Sequence, residues 1–224
     1  MKKYAVIVAG GSGVRMGGAV PKQFLLLKGK PVISYTLQAF LQVFEDLHVI
    51  LVLPQNHVQE GEAIVQSMKL HDRVTIVQGG DSRFQSVKNG LAHVTDPSVV
   101  FVHDGVRCMV SHELIKQCYE QALDKGSAIP AIAATDSIRI AEASHHYVMD
   151  RNKVRIIQTP QTFLSSVLLP AFEQPYNDAF TDEATVVEAN DVTTHLINGE
   201  ESNIKITRPL DLLIAEAILD KRIT

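Results

Sequence analysis

Apolar runs of strand length alternate along this chain with longer amphipathic stretches. The runs at 4–9, 49–53, 74–77, 99–103 and 128–133 are apolar almost throughout, a pattern that predicts strands buried on both faces. The stretches at 31–44, 58–68, 82–93 and 111–125 predict helices. Pro31 suits a first helical turn, one helix ends near Gly90, and Gly126 closes another. Strands separated by helices in this way predict an α/β fold with a mostly parallel sheet covered by helices on both faces. The rhythm breaks after Ala134. Residues 136–152 alternate Ile138 and Ile140 with polar positions, pass a polar patch at 143–146, and return through Tyr147, Val148 and Met149. That pattern predicts a β-hairpin, an arm projecting from the sheet at about 136–155. Helices are expected again at 164–172 and 182–189, strands at 193–197 and 203–206, and a closing helix at 209–221. No internal repeat or low-complexity linker interrupts the chain, so one domain spanning 1–224 with an arm is the expectation.

Composition removes several classes. A chain of 224 residues with 46% hydrophobic and 21% charged residues can bury a sizeable core as a globular protein. The formal net charge of −4 argues against a nucleic-acid partner, which needs a basic face. Cys108 and Cys118 form no CxxC pattern and are read as ordinary thiols. The apolar run after the first residues is too short for a signal peptide, and no segment reaches membrane-spanning length, so a cytoplasmic protein without a membrane partner is expected. His145 and His146, in the polar turn of the hairpin, are read as solvent-exposed.

The chemistry begins at the turn after the first strand. Gly10, Gly11 and Gly13 let backbone N–H groups approach an anion, and Arg15 and Lys22 add two cations. Unhindered donors beside fixed positive charge suit a triphosphate. A dinucleotide fingerprint fails, because it needs glycine where Met16 stands and an acidic residue where the second strand ends in Leu53-Pro54-Gln55. A Walker loop fails for want of Gly-Lys-Ser/Thr. The string G-x-G-x-R-M-G followed by Pro21-Lys22-Gln23 resembles the signature of the sugar nucleotidyltransferases, a family with a Rossmann-like sheet. The resemblance implies that Arg15 and Lys22 stabilise the charged transition state, chemistry that gains most from electrostatic stabilisation.

Further motifs follow in the family's order. Residues 79–91 match GGxxRxxSVxxGL, similar to the cytidylyltransferases of methylerythritol phosphate and of ribitol phosphate, and imply that Gly80, Asp81 and Ser86 hold the cytidine. Asp81 or Ser82 would also cap the helix that follows. Asp104 ends a strand, where parallel sheets bind ligands, and is the candidate for magnesium or its waters. Arg107 is expected beside the nucleotide or the acceptor phosphate, the alternative being a structural pair with Asp104. The family's H-D-A-A-R-P is here His103-Asp104-Gly105-Val106-Arg107-Cys108. On the arm, Asp136-Ser137, Asp150-Arg151 and Gln158-Thr159-Pro160-Gln161 resemble family strings whose Arg and Thr contact the acceptor, with the arm crossing to a second subunit. Thr181 opens a T-D-E-A run that favours methylerythritol phosphate over ribitol phosphate as acceptor, although Thr181 or Asp182 could simply cap a helix. Residues 203–209 resemble the family's N-I-K-V-T-x-P, and Lys205, in a short apolar strand where an unpaired charge is costly, would pair with an acceptor phosphate, the alternative being a lysine that snorkels from the strand edge.

The resemblance therefore implies an enzyme of non-mevalonate isoprenoid synthesis, a Mg2+-dependent homodimer that transfers CMP from CTP to 2-C-methyl-D-erythritol 4-phosphate and releases pyrophosphate. Arg15, Lys22, Arg151 and Lys205 are its expected catalytic residues. Gly10, Gly11, Gly13, Gly80, Asp81, Ser86, Asp104, Arg107, Ser137, Thr159 and Thr181 are expected to bind substrate, and Asp104 the metal. D-ribitol 5-phosphate is the alternative acceptor, favoured by Ala9-Gly10-Gly11. A non-catalytic nucleotide-binding regulator is the alternative of another class.

Overall fold

The computed structural model describes residues 1–10 and 20–223. Three strands form the centre: β1 (Lys2–Val8), the β4 strand (Leu47–Leu53) and β6 (Ser98–Asp104), with β1 parallel to both others. Between β1 and β4 come a two-stranded ribbon, β2 (Leu26–Leu27) with β3 (Lys30–Pro31), and helix α1 (Val32–Val43). Helix α2 (Val58–Ser67) leads to β5 (Val74–Gln78), which extends the sheet beyond β4, and α3 (Arg83–Leu91) returns the chain to β6. Helix α4 (His112–Lys125) then leads to β7 (Ser127–Ala133). Its cap, Gly126, sits at φ 82°, a conformation that glycine adopts without strain.

Alternate residues of the central strands face opposite helix layers, as the pleat requires. Ala5, Ile7, Val49, Leu51, Val99 and Phe101 pack with α1, α2 and α4. Val6, Ile50, Val52, Val100 and Val102 pack against α3 and two later helices, α5 (Ser165–Ala171) and α6 (Glu183–Glu188). All seven residues of β6 are buried. Each large side chain so placed stabilises by about 1.5–3 kcal/mol. A third cluster joins Leu27, Val32, Met109 and Ile206 to the closing helix α7 (Pro209–Ile223).

The expected α/β sheet with helices on both faces is present, but its far side is mixed. Strand β11 (Gln161–Leu164) inserts antiparallel between β6 and β7, and β10 (Arg155–Ile157) continues antiparallel along β7. The pairing register with β7 slips by two residues across 158–160. These two strands escape the sequence pattern because they are short and Gln161 and Thr162 are polar. The expected strand at 193–197 shrinks to β12 (Leu196–Asn198), parallel to β7. The expected strand at 203–206 is not one: the segment is non-repetitive chain held by the Ile206 N–H donating to the Val106 carbonyl at 3.0 Å. The hairpin is as predicted, β8 (Ile138–Ala141) with β9 (His146–Met149), a two-stranded sheet separate from the main one. His145 and His146 are exposed on it, His145 pairing with Glu142.

Candidate functional site

The chain runs outward from β1 to β4 and β5 on one side, and β6 lies on the other. The carboxyl ends of β1 and β6 therefore flank a switch point, the place where open α/β sheets hold ligands. Val8 and Asp104 are register partners there, and the Gly105 N–H donates to the Val8 carbonyl at 2.9 Å. A Cβ on Gly105 would stand 2.8 Å from Ile33 Cδ1, so the turn after β6 is confined to glycine unless Ile33 gives way. Buried Gln23 donates from Nε2 to the Ala9 carbonyl at 2.8 Å, which anchors the 3-10 turn of Lys22–Phe24 beside β1 and sets Lys22 on the cleft.

The opposite wall is the turn between β5 and α3. Ser82 caps α3 by accepting the Gln85 N–H at 3.0 Å. Buried Ser86 accepts the Gly80 N–H at 3.1 Å and donates to the Gly80 carbonyl at 3.3 Å, so one hydroxyl fixes the loop that presents Gly80 and Asp81. Gly10, Lys22, Gly80, Asp81 and Ser86 together line a cleft of about 330 Å³, with Asp104 and Lys205 at its inner side.

Asp104 is the electrostatic hub. It is buried, yet three cations surround it. Lys205 Nζ lies 2.9 Å and Arg107 Nε 3.5 Å from Oδ2, and Arg83 Nη2 lies 3.4 Å from Oδ1. Burial alone would raise its pKa, but the Arg83, Lys205 and Arg107 cations outweigh that and hold the carboxyl well below the usual range. Lys205 stands beside Asp104 with its side chain 43% exposed, so the burial cost expected for it does not arise. Arg83 in turn forks onto Glu183, Nη1 to Oε1 and Nη2 to Oε2 at 3.0 Å. Glu183 is fully buried, and burial pushes its carboxyl up against the pull of Arg83.

Beneath Asp104 a chain of hydrogen bonds ties three segments together. His103 Nε2 lies 3.1 Å from the Arg107 carbonyl, which can only accept, so Nε2 carries the proton. Nδ1 then accepts from the Thr159 hydroxyl at 3.0 Å, and that oxygen accepts the Asp104 N–H at 3.0 Å. Burial drives the His103 pKa down to about 4, which keeps this neutral tautomer near neutral pH. Arg107 points inward, donating to the Asn203 carbonyl at 2.8 Å and the Ile157 carbonyl at 3.4 Å. Thr159 and Arg107 thus hold the architecture under Asp104. A second cleft of about 180 Å³ opens on the far side of Asp104, lined by Gln158, Thr159, Gln161, Thr181 and Asp182. Arg83, Asp104 and Lys205 border both clefts.

The remaining expectations divide. Thr181 is exposed at the second cleft, and its N–H donates to Thr185 Oγ1 at 3.1 Å. Arg151 is exposed and braces the base of the hairpin through the Thr135 carbonyl at 2.7 Å. Ser137 is exposed beside the first strand of the hairpin. Gly11, Gly13 and Arg15 lie outside the described residues. Arg83 and Glu183, which the sequence reading passes over as site residues, prove central. Each stands inside a motif already singled out, Gly-Gly-Asp-Ser-Arg and Thr-Asp-Glu-Ala, and that membership was the available signal.

For magnesium the donor chemistry fits in one respect. The ion takes one or two carboxylates and completes its shell with water and phosphate oxygens. Asp104 and Asp81 both border the larger cleft. No cluster of three or more His, Cys, Asp or Glu side chains suited to a metal occurs among the described residues, so the protein could supply only part of the shell.

Comparison with known proteins agrees along the whole chain. A family model described as 2-C-methyl-D-erythritol 4-phosphate cytidylyltransferase (IspD) matches residues 4–221. A protein of that name from Phocaeicola vulgatus is 44% identical over 219 residues, covering 98% of this chain and 100% of the relative. A bifunctional enzyme IspD/IspF from Desulfotalea psychrophila is 40% identical over 99% of this chain, which spans 58% of that protein. Among solved structures, a 4-diphosphocytidyl-2C-methyl-D-erythritol synthase from Anaerococcus prevotii covers 98% of both chains with a TM-score of 0.83 at 28% identity. The 2-C-methyl-D-erythritol 4-phosphate cytidylyltransferase from Thermus thermophilus covers 98% of this chain and 100% of its own, with a TM-score of 0.77 at 27% identity.

Proposed function

This chain belongs to the 2-C-methyl-D-erythritol 4-phosphate cytidylyltransferase family, and from that premise we infer that it transfers CMP from CTP to 2-C-methyl-D-erythritol 4-phosphate. The observation that carries the reading is the position of Asp104 and its three cations on the border of two clefts. The larger cleft, with its glycine-lined walls, suits the cytidine and phosphates, and the smaller one suits a compact polyol phosphate. A phosphate oxygen of the acceptor attacks the α-phosphorus, the bond from that phosphorus to the bridging oxygen breaks, and pyrophosphate leaves. The acceptor is already an anion near neutral pH and needs no strong base, so the work left is alignment and neutralisation of charge. Lys205, borne on Asp104 between the clefts, meets the acceptor phosphate and the reacting phosphorus. Lys22, on the wall of the larger cleft, faces the triphosphate, and the family resemblance adds Arg15 to it.

Magnesium belongs to this proposal as a counter-charge that accompanies the triphosphate, with Asp104 and Asp81 as the carboxylates able to hold its hydration shell. Addition of EDTA should then abolish turnover, and excess Mg2+ restore it. The proposal also has the hairpin cross to a second copy. Two four-residue strands are marginal alone, and Tyr147 and Val148 stand exposed on them. Light scattering should then return twice the chain mass. A cytoplasmic setting fits small phosphorylated substrates, and no helix among the described residues is long and apolar enough to cross a membrane.

Pyrophosphate release measured with CTP and either methylerythritol phosphate or ribitol phosphate tests the reading. Release with methylerythritol phosphate alone is expected. Release with ribitol phosphate alone would keep the chemistry and change the acceptor, and nucleotide binding without release from either would favour a binding protein.

A further inference from the structure

The pair of buried Glu183 and half-buried Arg83 sits at the site without an assigned task. A buried ion pair is poor evidence for stability, because well-packed apolar residues can do as well in its place. The pair is also locally unfavourable for Arg83. It is the first residue of α3, where the helix dipole disfavours a cation. A charge kept in such a place against local preference points to a demand from the site.

The geometry supplies that demand. Both oxygens of Glu183 are occupied by the two terminal nitrogens of Arg83. One of those nitrogens continues to Asp104 Oδ1 at 3.4 Å, a longer and weaker contact than the 3.0 Å it makes to Glu183 Oε2. Asp104 holds Lys205 on Oδ2 at 2.9 Å, with Arg107 Nε farther from the same oxygen at 3.5 Å. Charges therefore alternate along a line from Glu183 through Arg83 and Asp104 to Lys205. A guanidinium fork matches a carboxylate better than an ammonium does. Without Glu183, Arg83 would close its fork on Asp104 and displace Lys205.

We propose that Glu183 is a positioning residue that, by holding Arg83 in a fork, leaves Asp104 available to aim the ammonium of Lys205 between the two clefts. Glu183 touches no substrate in this account. It connects α6, beside the smaller cleft, to α3, beside the larger one, so both halves of the site fix one lysine. The inference rests on the transferase reading for its kinetic consequence but not for its structural one.

The test uses the full chain and its Glu183→Gln, Arg83→Gln and double variants. The structural readout is acylation of Lys205 by an amine-reactive ester, followed by peptide mass spectrometry. Loss of the Asp104 partner should expose the amine, and Glu183→Gln should raise the labelling rate about threefold or more, the size of a modest lost electrostatic contact. An unchanged rate in folded protein overturns the proposal whatever the enzyme's activity. The kinetic readout is pyrophosphate release. Glu183→Gln should lower kcat about tenfold or more through misalignment, with KM for CTP changed less than about threefold.

The double variant separates positioning from folding. It removes both charges and should regain the melting temperature that Glu183→Gln loses. Its kcat should match that of Arg83→Gln within about twofold and exceed that of Glu183→Gln, because Glu183 acts only through Arg83 and without Arg83 nothing draws Asp104 away from Lys205. A double variant that kept the fast labelling and the lowered kcat of Glu183→Gln would show that Glu183 does not act through Arg83 and would sink the proposal. If the parent itself released no pyrophosphate with either acceptor, the activity reading would fall while the labelling result still decided the role of Glu183.

Discussion

The two walls that meet at Asp104 are built in different ways. The wall along the larger cleft comes from the carboxyl ends of β1 and β5, the turn at Lys22 and the start of α3, parallel strand-and-helix units whose loops carry their ligand-facing residues in compact strings. The wall along the smaller cleft is gathered from the slip between β10 and β11, the start of α6 and the chain near Asn203. It is held by polar links: Gln158 Nε2 to the Glu200 carbonyl at 2.7 Å, Gln161 Nε2 to Asp182 Oδ2 at 2.9 Å, and Asn203 Nδ2 to the Thr159 carbonyl at 2.8 Å. The first wall is held by apolar packing of its helix onto a parallel sheet, and the second by buried hydrogen bonds, each of which leaves a costly unpaired group when its partner is lost. Perturbations of the hub and the polar wall should therefore cost more than perturbations of the apolar one.

The largest effect is expected at the hub. Asp104→Asn leaves Arg83, Arg107 and Lys205 facing one another without their common anion. Breaking a buried charge cluster of this kind costs about 3–5 kcal/mol, to be read by urea denaturation, and pyrophosphate release should fall with it. An Asn variant of parental stability would mean that the three cations are satisfied elsewhere.

Next comes acid sensitivity of the polar wall through His103. Its folded pKa is depressed from 6.5 to about 4, so the unfolded chain takes up a proton first as pH falls. The contribution of neutral His103 is complete above pH 6.5 and is lost as pH drops from 6.5 towards 4. A shift of that size corresponds to about 3 kcal/mol, and protonated Nδ1 could no longer accept from Thr159. Melting temperature followed across this window should decline, and His103→Gln should flatten the decline. The depressed Asp104 carboxyl contributes separately, with its loss falling below the ordinary Asp range near 3.8. A flat profile between pH 6.5 and 4 would dissociate His103 from the polar wall.

Lys205→Ala should leave the fold intact, since its side chain is 43% exposed, while kcat/KM falls about a hundredfold, equivalent to about 2.7 kcal/mol of lost transition-state stabilisation. Parental turnover would remove Lys205 from the reaction and leave Asp104 a structural anion.

Legibility follows the same division. Runs such as Val49–Leu53 and Val99–His103 are apolar because both faces of a central parallel strand are covered, so their pattern alone located them. Gly80, Ser82 and Ser86 lie within seven residues of one another, and a short string can record that relation. The pairing of Arg83 with Glu183 spans 100 residues, and no local pattern encodes it. Strand β11 is four residues long with polar Gln161 and Thr162 buried by hydrogen bonds, so hydrophobicity gives it no signature. Lys205 read as a costly charge in an apolar strand because Ile204 and Ile206 flank it. In the folded chain those neighbours pack on α7 while the lysine leans out to Asp104.

The smallest effect, and the one that probes the apolar wall, is expected at Gly90. The helix ends near Gly90 as its sequence suggests, α3 closing at Leu91, and Gly90 also marks the close approach of α3 to the sheet. A Cβ there would stand 2.6 Å from Val6 Cγ1 and 3.0 Å from Val52 Cγ2. Alanine would gain about 1 kcal/mol of helix propensity, while overpacking against two stiff valines costs about 1–3 kcal/mol. The clash should win narrowly, giving Gly90→Ala a net loss of about 1 kcal/mol in urea denaturation. To relieve the contact α3 must lift from β1, and its first turn carries Ser82, Arg83 and the loop fixed by Ser86. KM for CTP should therefore rise by about two- to fivefold with kcat little changed, the mark of weakened binding. Val6→Ala in the same chain removes the nearer methyl and should bring KM back. If KM failed to recover while stability did, the apolar wall would support the fold without setting the position of the nucleotide loop, and the contrast between the two walls would reduce to their stability alone.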